Sequence, residues 1–328
     1  MNPARWPDDL VSVFESAVTA EYCSLTASGR PITVPATPYL GRHRTTLDVS
    51  TGLAYPAKAE RARREPRVAL LFADPVGTTL ADPPVVLVQG LATVRDTDLQ
   101  ANTDRYVQLS TEKLPDATMG PRAALRRMSW YFARIWVEVT PLHIQWWPSR
   151  EMGEPARRWH APEATAAPLS DPAPPGAAPG AWIRPPVAWR PLAAAALPGS
   201  LADLSVVDSN GFPLCVPVAN ARLDDDGVVL DVGPGAPALA EGAACLTLHR
   251  HAARFTGQEN HSFVGHLEQS GDGWHLTVER ALGDWSLAGG RARVAAAFLS
   301  KRRVLRRRTA QEAERRSQPV PEVRFPVG

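Results

Sequence analysis

Lysine and cysteine are the scarce residues of this 328-residue sequence. Of its 36 basic residues only Lys58, Lys113 and Lys301 are lysines, the rest being arginine. Cysteine occurs three times, as Cys23, Cys215 and Cys245, far apart and without a C-x-x-C pair. That spacing excludes a disulfide framework or a structural zinc site and points to a reducing compartment. No apolar run approaches the ~20 residues of a membrane helix, and the opening MNPARWPDDL lacks the basic-then-apolar order of a secretion signal. A formal net charge of +2 gives no general attraction to nucleic acid or to anionic membrane. The chain therefore reads as cytoplasmic, with no nucleic-acid or membrane partner. Proline is abundant, at 32 residues, about twice the ordinary ~5% share. Hydrophobic residues at 44% against 21% charged give the balance of a folded globular chain.

Residues 8–20 carry the spacing of a short amphipathic helix, with Leu10, Val13, Phe14 and Ala17 on one face. Strand-like runs follow at 23–26, 32–36, 45–49, 68–72 and 85–94, the last crossing Gln89-Gly90, and two more close the region at 132–139 and 143–147. Residues 56–64 are polar and helix-favouring, and 98–127 read as helix broken by Pro115, Gly120 and Pro121. Residues 148–199 hold much of the proline and form a linker or an irregular wrap, in which Trp159, Trp182 and Trp189 argue for docking.

From residue 200 the strand pattern returns in the same order. Gly29–Pro35 (GRPITVP) is echoed by Gly211–Pro217 (GFPLCVP), and 46–50 (TLDVS) by 229–233 (VLDVG). The run 68–72 (VALLF) is echoed by 244–248 (ACLTL), and 88–90 (VQG) by 263–265 (FVG). Ordered matches at a spacing of roughly 180 residues indicate internal duplication, too long in period for a solenoid. The expected organisation is two unequal copies of one β-rich domain, 1–147 and 200–290, joined by 148–199 and followed by a basic helix and tail, 291–328. The cations of that helix, Lys301 to Arg308, read as a solvated face, because no aromatic interleaving accompanies them.

The richest stretch for chemistry is 47–72, LDVSTGLAYPAKAERARREPRVALLF. A strand ends at the hydroxyls of Ser50 and Thr51, a glycine turn follows, and Lys58 and Arg61 then stand three apart on one helix face. Hydroxyls, loop amides and cations that converge in this way form a phosphate site, whereas a plain strand followed by a solvated basic helix needs no ligand. The second copy has PGAPALAEGA at the same place, without a cation.

The order strand, Gly-Arg-Pro, strand, Leu-x-Val-Ser-Thr, Lys, Arg-x-Pro-Arg-Val-Ala-Leu-Leu-Phe, Val-x-Val-Gln-Gly-x-Ala resembles the flavin-binding split barrels. These are the pyridoxamine 5′-phosphate oxidase-like superfamily with its deazaflavin-dependent relatives. The resemblance covers about residues 8–147, and a weaker version about 200–290. It implies a mainly β fold with flanking helices (α+β), here two tandem split β-barrels, and a cofactor groove of the kind that usually forms at a dimer interface. It implies further that Ser50 and Thr51 touch the ribityl chain or phosphate and that Lys58 binds the phosphate with Arg61 or Arg64. Gln89 would lie near the isoalloxazine ring, with Leu47 and Val49 lining the pocket. The compact Ser-Arg-Lys signature and the Arg-Leu-x-Pro tail of the vitamin B6 oxidases are absent, so their substrate residues are not carried over, and no catalytic residue is assigned. The expected function is an FMN- or deazaflavin-dependent oxidoreductase acting on a small organic molecule, with the barrels paired within one chain or across a homodimer. The competing reading is a non-catalytic flavin- or haem-binding protein. The competing reading draws on five histidines in 249–275, of which His249 and His251 alternate on one strand face. Their spacing fits no standard metal pattern, and no metal site is assigned to them.

Overall fold

The computed structural model describes residues 6–114, 122–177, 187–252, 256–271, 273–286 and 290–325. Pro115, Gly120, Pro121 and Trp182 lie outside the described residues. Helix α1 (Asp8–Ser16) buries Leu10, Val13 and Phe14. It stops short of residue 20, where the strand β1 (Ala20–Leu25) begins, buried on both faces. β2 (Pro31–Ala36), β3 (Tyr39–Leu40), β4 (Leu47–Gly52), α2 (Ala57–Arg64), β5 (Arg67–Phe72) and β6 (Val85–Arg95) follow. Next come α3 (Leu99–Lys113), two single turns, α4 (Arg122–Leu125) and α5 (Ser129–Phe132), then β7 (Arg134–Trp147) and β8 (Arg157–His160). The sheet runs β2-β1-β5-β6-β7-β4-β3, with β8 on the side of β7. It curls around a core that includes Phe14, Tyr22, Leu47, Val49, Leu70, Val88 and Ile135.

After α6 (Trp189–Ala196) come β9 (Leu201–Val207), β10 (Pro213–Leu223), β11 (Gly227–Val232), β12 (Gly242–Ala252), β13 (Thr256–Ser270) and β14 (Gly273–Ser286), then the helix α7 (Gly290–Arg315). These six strands close a barrel in the order β10-β11-β14-β13-β12-β9. With β9, β10, β11, β12, β13 and β14 set against β1, β2, β4, β5, β6 and β7, the two strand orders are the same. Only the seam differs, since β10 pairs with β11 in the second copy while β4 ends on β3 in the first. The molecule is therefore mainly β with flanking helices, two tandem split barrels, and all four echoed segments fall on equivalent strands. The echoed glycines explain themselves. Gly90 and Gly265 each sit beside a register shift, where a Cβ would stand 2.3 Å from the Thr140 carbonyl oxygen and 1.9 Å from that of Thr277.

The barrels pack face to face within the chain. β1 and β2 lie against β9, β10, β12 and β13, and the contact is a pseudo-twofold one. Cys23 pairs with Thr33 across β1–β2, as Ser205 pairs with Cys215 across β9–β10. The Thr33 and Ser205 hydroxyls share a 2.6 Å hydrogen bond, and the mates of those residues, Cys215 and Cys23, bring their free thiols together at the equivalent point. Such reciprocity is the mark of an isologous interface. All three cysteines are buried free thiols here, and burial lifts that of Cys245 to about 12.

The proline-rich segment is a wrap. Asp171 takes the amides of Asp96 and Thr97 at 2.7 and 2.9 Å, Trp159 packs on the first core, and Met152 is fully buried in the second. The final helix departs from a purely solvated one. Arg302, Arg303, Arg306 and Arg307 are exposed, but its end returns to the first barrel. There the Arg316 Nε donates to Asp96 (2.9 Å), which Arg63 also grips bidentately at 2.8 Å. Glu312 is wholly buried beside Arg315 and Arg316. This ring of charges is legible only once residues more than 200 apart are brought together.

Candidate functional site

α2 crosses the first barrel with Ala59 and Ala62 buried, small residues that let the helix lie close to the strands. That seating turns Lys58 and Arg61 inward. The Lys58 Nζ lies 5.4 Å from the centre of the Tyr22 ring, and among the described residues it has no carboxylate ion pair. Burial pushes its pKa down to about 7, helped by the positive charges of Arg61 and Arg134, against which Glu21 pulls only weakly. Arg61 donates from Nε to the Ser24 hydroxyl at 2.9 Å, and burial lowers its pKa too.

Arg134, which the sequence reading passed over, completes the group. It stands opposite Gly52 across β4–β7, where a Cβ on Gly52 would lie 2.9 Å from its guanidinium. Its guanidinium lies 3.9 Å from the Tyr106 ring centre and 5.3 Å from that of Tyr131, yet its buried Nε has no hydrogen-bond partner. A cation heading an apolar strand next to a glycine turn was the available signal. α7 covers this end of the barrel, with Leu305 packed on Ala54 and Trp130 and the Arg308 Nε donating to the Ala54 carbonyl at 2.9 Å.

The other sequence candidates spread out. Leu47 and Val49 are fully buried in the core. Thr51 shares their face and donates to the Tyr55 carbonyl at 2.8 Å, which closes the turn into α2. Ser50 points to the opposite face, half-buried. Arg64 is exposed and lines a recess between the barrels with Leu25, Thr26, Arg67 and Gly211. Gln89 is buried in the inter-barrel contact, where its Nε2 donates to Asp208 (2.8 Å) and to the Pro213 carbonyl (2.9 Å). The structure thus gathers Lys58 and Arg61 and adds Arg134. It leaves Ser50, Arg64 and Gln89 apart from them.

The second copy has lost the corresponding place. Its β11–β12 connection contains no helix, and Gly233 and Gly235 there lie against the backbone of Glu151, Met152 and Glu154. Trp147 seals the contact by donating to the Gly235 carbonyl at 2.9 Å.

His249 and His251 do share one face, with ring planes 16° apart. Both turn toward Asp74 of the first barrel, at 3.4 and 2.5 Å. Burial alone would lower the His249 pKa, but the carboxylates of Glu21, Asp74 and Asp203 around it raise it to about 10.

No family model and no curated protein matches this chain. Among solved structures, it is similar to a pyridoxamine 5′-phosphate oxidase-related, FMN-binding protein from Nostoc punctiforme, at 16% identity and TM-score 0.35 over 48% of this chain and 90% of that one. It is similar also to a conserved hypothetical protein from Mycobacterium tuberculosis, at 19% identity and TM-score 0.34 over 47% and 92%. A third is an FAD-binding protein from Mesorhizobium loti, at 14% identity and TM-score 0.29 over 44% and 96%. Among the described residues, no helix is long and apolar enough to cross a membrane.

Proposed function

We propose that the first barrel binds a flavin-type cofactor, FMN or a deazaflavin, through its phosphate, and that the chain is an oxidoreductase acting on a small organic substrate. One observation carries this reading: Lys58, Arg61 and Arg134 crowd together, and among the described residues none of the three forms an ion pair with a carboxylate. Half-buried cations without an ion-pair partner are costly, and a bound phosphate supplies the missing charge and the acceptor that the Arg134 Nε lacks. In this reading Lys58 acts as the point charge on the phosphate, with Arg134 presenting its planar fork. Arg61, anchored on Ser24, keeps the field positive, and Tyr22 and Tyr106 supply flat walls. A bound flavin or deazaflavin supplies hydride or electron transfer at its ring, so a catalytic acid or nucleophile in the protein is not obligatory. The chain's share is to bind, orient and shield.

Equilibrium titration with FMN and with a deazaflavin, read by quenching of cofactor fluorescence, tests the proposal. Wild-type protein is expected to saturate at one equivalent with at least one of them. Lys58→Met and Arg134→Met are expected to weaken binding by at least 10-fold with unchanged circular dichroism. No saturation with either cofactor, or unaltered affinity in both variants, overturns it.

A further inference from the structure

Where the two barrels meet, Glu21 of β1, Asp203 of β9 and His249 of β12 turn their side chains toward one point. All are nearly inaccessible, with 2%, 1% and 4% of their surface exposed. One carboxylate oxygen of each acid and one ring nitrogen of the histidine lie within 4.8 Å of one another. The His249 Nδ1 is 2.9 Å from the Glu21 Oε1 and 3.8 Å from the Asp203 Oδ2. Yet both Glu21 oxygens, the Asp203 Oδ2 and the His249 Nδ1 lack a hydrogen-bond partner of good geometry. Buried polar groups are normally satisfied, so orphaned atoms directed at one point call for an unseen partner.

The far side of two of these groups is already fixed. Arg150 donates to the other Asp203 oxygen, Oδ1, at 3.1 Å. Asp74 holds the other nitrogen of His249, Nε2, at 3.4 Å. When a metal ion displaces the proton on the inner nitrogen of a histidine, a carboxylate on the outer nitrogen holds the remaining proton there, the arrangement that orients metal-ligating imidazoles. We infer that Glu21, Asp203 and His249 form a binding site for one divalent transition-metal ion of the zinc type, which clamps the two barrels together.

Spacing and charge agree with this. Ligands bound ~2.0–2.1 Å from a tetrahedral ion stand roughly 3.3 Å apart, between the two measured separations. Glu21, Asp203 and Asp74 against Arg150 leave two negative charges, which one divalent ion cancels with both imidazoles neutral. The neighbouring set of Asp74, His249 and His251 is the weaker candidate, because Asp74 and His251 already satisfy each other at 2.5 Å.

The test uses the full chain, expressed with zinc, and again after chelation and prolonged incubation with Zn²⁺, with bound metal counted after desalting. One equivalent per chain is expected in the wild type, and at least a 10-fold lower occupancy in Glu21→Gln and in His249→Ala. Asp74→Asn, which acts through His249, should weaken affinity about 10- to 100-fold, and His251→Ala should keep its equivalent. Should a variant fail to fold, the wild type still decides. Co²⁺ substitution should give visible bands without the charge-transfer absorption of a thiolate, and a Zn²⁺ anomalous peak should fall ~2.0–2.2 Å from all three ligands. A wild type that holds no metal under either condition overturns the inference. So do unchanged occupancy in Glu21→Gln and His249→Ala, loss confined to His251→Ala, or thiolate coordination.

Discussion

Raising the pH from 6 to 9 should weaken binding of the cofactor phosphate by about 90-fold, if only protonated Lys58 is competent. The figure follows from the Lys58 pKa of about 7, against its ordinary 10.5. With that value the ammonium is about 90% populated at pH 6 and about 1% at pH 9, so the apparent Kd rises nearly tenfold per unit above 7 and flattens below it. The phosphate itself cannot produce this slope. A phosphomonoester loses its second proton near pH ~6, so deprotonation leaves it more anionic and would favour binding. The sign for stability is the opposite. Between about 7 and 10.5 the unfolded chain holds the proton that folded Lys58 has lost, so the cofactor-free protein gains stability as pH rises through that window, and the penalty is complete below it. Fluorescence titrations in buffers of constant ionic strength from pH 6 to 9 measure the first effect. Lys58→Met should bind weakly at every pH, without the slope. A Kd that is flat over this range in the wild type, or a slope that persists in Lys58→Met, would refute the assignment of Lys58 as the phosphate ligand.

Other expectations concern the frame around the site. Gln89→Leu strips two inter-barrel hydrogen bonds and strands the Pro213 carbonyl; it should cost about 1–3 kcal/mol, read from urea unfolding. Gly90→Ala and Gly265→Ala force a Cβ against a backbone carbonyl that cannot move alone. Each should lower stability by more than ~2 kcal/mol, and a Tm equal to wild type in either would contradict the close approach. Arg316→Ala removes one of two arginine partners from each of buried Asp96 and Glu312, leaving Arg63 and Arg315 in place, and should cost about 1.5–3 kcal/mol, whereas Arg306→Ala on the exposed face should stay within ~0.5 kcal/mol.

The duplication was legible because it rests on local pattern. Pro-x-x-Val-Pro, the Leu-Asp-Val strands and the echoed glycines each follow from backbone constraints that repeat in both copies. The placing of Lys58 and Arg61 on one face of α2 was legible too, from their spacing of three, but not that this face turns toward the barrel rather than to solvent. What stayed hidden depends on pairing at a distance. Arg134 acquires its setting only when β7 lies beside β4. Gln89 has the right strand position for a ring contact, but the approach of β10 occupies its amide. His249 and His251 were visible as an alternating pair, while Glu21 and Asp203 carried no signal until the interface placed them on either side of it.

The pseudo-twofold contact has a consequence for how the two halves could diverge. Glu21 and Asp203 occupy equivalent positions, opposite Pro35 and Pro217. Leu71 and Thr247 lie across from them, which makes Ala73 the counterpart of His249. In a dimer of identical subunits every substitution near the axis appears twice, so an Asp facing a Glu, or a histidine on one side alone, is forbidden. Fusion into one chain lifts that restriction. One copy could fill its groove with the strand exit of the other and keep no cations, while the axis took on unlike residues. It also makes the pairing unimolecular, so the melting temperature of the joined barrels should be independent of protein concentration, as that of an obligate dimer is not.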